Sequence, residues 1–185
     1  YNAVKEPVIV SASRDENGGW VNTCAMRALP GLPMDKVMFL MGLCTGEQTG
    51  EERVPSAWTT RWHSGKSTRH ITIAIARYRF QSISFTDEER TKYGIEGLEV
   101  YVTSNLAHKA LYILDKAKDI LSFYVERYGP PLCPKLRLVE IGDEYQGGYG
   151  PPSLLLISPQ FLDLLPHELG HQWWGTIIAE AMTEY

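Results

Sequence analysis

Residues 165–175 read Leu165-Pro-His-Glu-Leu-Gly-His-Gln-Trp-Trp-Gly175, and within them His167, Glu168 and His171 form the pattern H-E-x-x-H. On a helix, residues four apart lie on one face, one turn above each other. Two imidazoles so placed can grip one metal ion. A carboxylate next to the first of them reaches the position the protein leaves open on that ion. Two His ligands, an open position and a carboxylate base are the parts of a zinc hydrolase. The competing explanation is a structural helix whose histidines are satisfied by hydrogen bonds. Leu164, Leu165, Leu169, Trp173 and Trp174 make the flanks strongly apolar. A buried His pair and Glu with no ligand among such neighbours would be costly, so the metal site is the expectation.

A third ligand is needed. Eight residues separate His171 from Glu180. On one continuous helix Glu180 would stand roughly 13 Å further along the axis, too far to bind the same ion. The chain must therefore turn after Gly175 and return a second helix, and little chain is available for that. Three outcomes stay open at this point. The ligand is Glu184, or it lies beyond Tyr185, or residues are absent between Ile178 and Glu180.

The stretch His167-Glu-Leu-Gly-His-Gln-Trp-Trp-Gly175 resembles the signature of the aminopeptidase N family of gluzincin zinc metallopeptidases. In that family a second helix carries a motif of the type Ser/Asn/Thr-Glu-Gly/Ser-Leu/Phe-Ala. Ala179-Glu180-Ala-Met-Thr-Glu-Tyr185 is similar to it. The resemblance thus implies Zn²⁺ on His167, His171 and Glu180, with Glu184 as the fallback and Glu168 as general base. The interval to Glu180 is shorter than the family's. That departure implies either a missing stretch or a deletion that disables the site. Upstream, Phe123-Tyr-Val-Glu-Arg-Tyr-Gly-Pro-Pro131 is similar to the family's helix end. Gly147-Gly-Tyr-Gly-Pro-Pro-Ser-Leu-Leu-Leu-Ile-Ser158 occupies the place of its substrate loop and edge strand. The family's amine-binding Gly-x-Met-Glu-Asn is missing from 143–150, and Glu144 has no spacing that would make it a substitute. The resemblance therefore implies metal-assisted peptide hydrolysis more firmly than aminopeptidase specificity. The family's transition-state Tyr would fall past Tyr185.

The elements that must position these residues are legible in outline. Residues 1–97 read as strands and loops, with turn signals at Asn17-Gly-Gly19 and Pro30-Gly-Leu-Pro33. Thr68–Phe80 reads as one long strand, with Ile71, Ile73 and Ile75 on its buried face, and Leu98–Val102 as another. Residues 86–97, polar with two glycines, read as a hairpin or a joining loop. His63-Ser-Gly-Lys-Ser-Thr68 lacks the early Gly of a phosphate loop, since that position is Thr60, and a strand follows instead of a helix. His63 and His70 are therefore surface or strand residues. Ala110, Ile113, Leu114, Ala117, Ile120, Leu121, Tyr124 and Val125 make one face of a helix to about Arg127, with Asn105 as its N-cap and Gly129-Pro-Pro as its stop. Strands at Leu136–Ile141 and Ser153–Ser158 precede the H-E-x-x-H helix. This order is α+β. By resemblance, 1–97 is part of a β-rich N-terminal domain. The same resemblance implies that 98–185 is a truncated part of a thermolysin-like zincin catalytic domain.

Bulk properties bound the function. The chain has 185 residues, 44% hydrophobic and 22% charged, as in a soluble globular protein. A net charge of -4 argues against nucleic acid as partner. The longest apolar run, Val37–Cys44, is too short to span a bilayer. Cys24, Cys44 and Cys133 are odd in number and lack C-x-x-C spacing, so they are expected as small buried hydrophobes. The compartment stays open. The expected activity is zinc-dependent hydrolysis of a peptide or protein substrate. Its rivals are an endopeptidase on the same site and a degenerate zincin acting as a binding or scaffold module.

Overall fold

A computed structural model describes residues 8–16, 19–27, 41–44, 46–54, 57–67, 72–131, 133–142, 145 and 147–175. The chain forms two compact units, Tyr1–Arg77 and Tyr78–Tyr185. The expected join lay at 97/98. The second unit instead takes in the strand and helix upstream of it, because that strand pairs with the strand at Gly97–Val102.

In the first unit β1 (Val8–Arg14), β2 (Gly19–Arg27), β4 (Glu47–Val54) and β5 (Ala57–Ser67) form an antiparallel sheet in the order β1-β2-β5-β4. A separate antiparallel pair joins β3 (Met41–Cys44) to β6 (Ile73–Ala76). The Asn17-Gly-Gly19 signal falls between β1 and β2, with Asn17 and Gly18 themselves outside the described residues, as are 30–33. His63 is a β5 residue, hydrogen-bonded to Asp15 at 2.6 Å. Residues 63–67 are strand, so no phosphate loop forms there. His70 lies outside the described residues.

The expected single strand over Thr68–Phe80 is a correction. β6 ends at Ala76, and β7 (Arg79–Ser84) opens in the other unit. The large apolar residues change face at this point, from Ile71, Ile73 and Ile75 to Tyr78 and Phe80, with Arg77 and Arg79 in the positions that would continue the isoleucines. Tyr78 is buried and donates its hydroxyl to the carbonyl of Glu140 at 3.1 Å. Residues 86–97 supply a second correction. They hold α1 (Asp87–Tyr93), not a loop. Thr86 accepts from the amide of Glu89, and Glu89 accepts from the amide of Thr86, a reciprocal capping box.

The second unit is a five-stranded mixed sheet in the order β10-β11-β9-β8-β7. β8 (Gly97–Val102), β9 (Leu136–Glu140) and β11 (Leu154–Ile157) run parallel, while β7 and β10 (Gly148–Tyr149) are antiparallel edges. Parallel neighbours need a crossover. Between β8 and β9 it is α2 (Ala110–Tyr128). The spacing that predicted this helix is its buried face. Ile113, Leu114, Ala117 and Leu121 pack with Leu98, Val100, Leu136, Leu138 and Leu155 in one core. Asn105 is not the cap, because a short 3₁₀ turn (Ala107–Lys109) leads into Ala110. Cys133 is buried as expected. The side chains of Cys24 and Cys44 are outside the described set. Among the described residues, no helix is long and apolar enough to cross a membrane.

Candidate metal centre

A 3₁₀ turn (Pro159–Leu164) delivers the chain into α3 (Leu165–Gly170), with Pro166 in its first turn where a missing amide costs nothing. Leu165 and Leu169 are buried in the same core as α2. The expected helix through His171 is shorter than the motif. It ends at Gly170, and bonds from Gln172 to Leu169 and from Trp173 to Gly170 tighten the next turn. His171 nevertheless keeps right-handed helical dihedrals (φ -62°, ψ -14°), so it stays one turn above His167. The two imidazole rings are 4.8 Å apart between centroids. With a ring nitrogen about 2 Å from a zinc ion, that separation lets both rings share one.

The end of α2 braces this segment. The Tyr124 hydroxyl donates to the carbonyl of Pro166 at 3.0 Å, and the Trp173 indole donates to the carbonyl of Gly129 at 2.9 Å. Rings of Tyr124 and Trp173 lie 5.1 Å apart, those of Tyr128 and Trp174 4.5 Å. The two tryptophans are therefore packing residues, with Trp174 still partly in solvent.

Polar chemistry concentrates on Glu168 and His171. Glu168 is 4% exposed, and its Oε2 has no hydrogen-bond partner among the described residues. Burial raises its carboxyl pKa above the usual carboxylate range, opposed in part by His171 and His167. The Nδ1 of His171 lies 3.1 Å from the carbonyl oxygen of Trp174. A carbonyl can only accept, so Nδ1 carries the proton and the lone pair of the neutral ring is on Nε2. That is the arrangement in which a histidine is oriented for a metal.

Two glycines shape the near wall. A Cβ on Gly148 would stand 2.6 Å from the carboxyl carbon of Glu168. One on Gly150 would stand 2.5 Å from the Glu168 carbonyl oxygen and 2.8 Å from the Cβ of His171. Only glycine lets the β10 backbone approach so closely. This also corrects the expectation that the strand after Gly150 is the edge. β11 is paired on both sides, by β9 and β10, and among the described residues the edge on this side is β10, before Gly150.

Of the expected site residues, the fold brings together His167, Glu168 and His171. Glu180, Glu184 and Glu144 lie outside the described residues. Among the described residues, no group of three or more His, Cys, Asp or Glu is arranged to hold a metal. The residues present fit a metal as part of a ligand set. Two imidazoles are within sharing distance, one is oriented through its second nitrogen, and a buried carboxylate oxygen lacks a partner among the described residues.

Comparison with protein-family models gives no match, and comparison with curated proteins gives none. Solved structures do match. The neighbours in fold are M1 zinc metallopeptidases. One from Deinococcus radiodurans has a TM-score of 0.59 at 12% sequence identity, over 75% of this chain. A point mutant of that peptidase gives 0.58 at 11%, again over 75%. The chain spans 32% of the length of either. At such identity the likeness is one of fold. It accords with an α+β architecture.

Proposed function

We propose that this chain carries part of the active site of a zinc-dependent peptidase of the aminopeptidase N type. The observation that carries the reading is Glu168: a buried carboxylate with an oxygen unpartnered among the described residues, one residue from His167 and one helical turn from the oriented His171. In this reading 78–185 belongs to a thermolysin-like zincin catalytic domain, with the first unit from a β-rich N-terminal domain. His167 and His171 hold the ion. Glu180 completes the set, with Glu184 as the alternative. Bound there, zinc supplies a Lewis acid that lowers the pKa of water to about 7.

The chain's own residues do the rest. Glu168, its pKa raised by burial, is a base poised closer to neutral pH than a solvated carboxylate. It takes the proton of the attacking water and returns it to the leaving amine. The open edge at Gly148–Tyr149 offers backbone groups to an extended peptide as an added strand. The glycines bring that edge against Glu168.

The test is hydrolysis of paired peptides with free and blocked amino termini, before and after a strong chelator. Cleavage that the chelator abolishes and zinc restores supports the reading. Preference for free termini makes it an aminopeptidase, and equal cleavage makes it an endopeptidase. The second reading, a zincin that only binds, draws on the short interval between His171 and Glu180 and on the lack of Gly-x-Met-Glu-Asn in 143–150. It predicts peptide binding with no zinc-restored turnover.

A further inference from the structure

Gln172 follows directly on His171 and is 2% exposed. Its carboxamide is used at both ends. The Nε2 donates to the carbonyls of Pro151 at 3.1 Å and Gly150 at 3.4 Å. The Oε1 accepts from the Ser153 amide at 3.1 Å and the Cys133 thiol at 3.7 Å. Ser153 has a φ of +65°, a left-handed conformation that a residue with a side chain keeps only when its surroundings hold it. Pro151 and Pro152 have no amide hydrogen, so this stretch has few donors with which to fix itself. The same stretch leads from Gly150, which abuts His171 and Glu168, into β11. An aliphatic side chain of equal length would fill the space. It would leave two buried carbonyls and one buried amide without this partner.

We infer that Gln172 is a positioning residue. Its carboxamide sets the separation between the His167–His171 segment and the β10 edge, so that a peptide laid on that edge meets Glu168 in register. The functional half of this statement rests on the peptidase reading above. The structural half does not. A packing role alone would lower all activities together. A positioning role discriminates by substrate length, because only a substrate that reaches along β10 depends on where the edge lies.

The experiment compares wild type with Gln172→Met, which keeps the length and loses every hydrogen bond. Gln172→Glu, which keeps an acceptor for Ser153 and loses both donors, serves if the first variant does not fold. Three quantities are read: amide exchange at Ser153, zinc per chain, and kcat/KM on an extended hexapeptide against a single-amide anilide. In Gln172→Met the Ser153 amide is expected to exchange at least about tenfold faster, the order of a lost buried hydrogen bond. Zinc is expected to stay at the wild-type level. The hexapeptide kcat/KM is expected to fall about tenfold or more, and the anilide value less than about threefold. Gln172→Glu is expected to keep Ser153 protected and still lose activity selectively on the hexapeptide. Equal losses on both substrates, or unchanged Ser153 exchange in Gln172→Met, overturn the assignment. If wild type neither holds zinc nor cleaves peptide, the peptidase reading fails instead. The exchange measurement then decides the clamp by itself.

Discussion

Glu168→Gln is expected to keep zinc at the wild-type level and to lower kcat by about 10²- to 10⁴-fold, the range for loss of a general base. The amide has the same shape, so it fits beside Gly148 where the carboxyl group fits. It cannot take a proton from water. Stability should not suffer. A carboxyl whose folded-state pKa is raised favours the fold below its unfolded pKa. That contribution is lost as pH rises through the folded value. At neutral pH that contribution is reduced or lost in the metal-free protein, and a neutral amide does not depend on it. Thermal denaturation of the metal-free proteins at pH 7 should place Glu168→Gln at or above wild type. Near-normal peptidase activity in this variant would show that the general-base assignment is wrong.

His171→Ala is expected to lose both zinc and turnover. Removing a residue that merely orients a ligand weakens metal affinity by about 10- to 100-fold, and removing the ligand itself should exceed that. His171 is the better probe of the pair because its ring is oriented by the Trp174 carbonyl. His171 is only half-buried, so its truncation should leave the α2–α3 core intact. Circular dichroism should match wild type while elemental analysis finds little zinc. Full zinc content in a folded His171→Ala protein would remove this residue from the ligand set.

The chemistry was more legible in the sequence than its surroundings. H-E-x-x-H is a local pattern, and helical geometry alone turns its spacing into proximity. The α2 stripe and the strand at Leu98–Val102 were legible for the same reason, since each is one period repeated over a buried face. α1 carried its own signal, Thr86-x-x-Glu89 with an acidic first turn, but its polar composition reads equally as a loop. The break at Arg77-Tyr78 carried a weak signal, a shift of the large apolar residues from odd positions (Ile71, Ile73, Ile75) to even ones (Tyr78, Phe80), which is easily read as one continuous alternation. Gly148, Gly150 and Gln172 were illegible as site residues. Their contacts join positions about twenty apart, and nothing in local spacing says which backbone a side chain will meet. Gly148 reads as a loop glycine until Glu168 is placed beside it.

The most direct test of the central claim is zinc per chain, measured by elemental analysis after dialysis against a weak chelator, in wild type and Glu180→Ala. The account predicts one zinc in wild type, lost or weakened in the variant. Equal zinc in both would transfer the third position to Glu184 or another residue and leave the His pair standing. No zinc in wild type would contradict the claim that His167, Glu168 and His171 form a working metal centre in this chain.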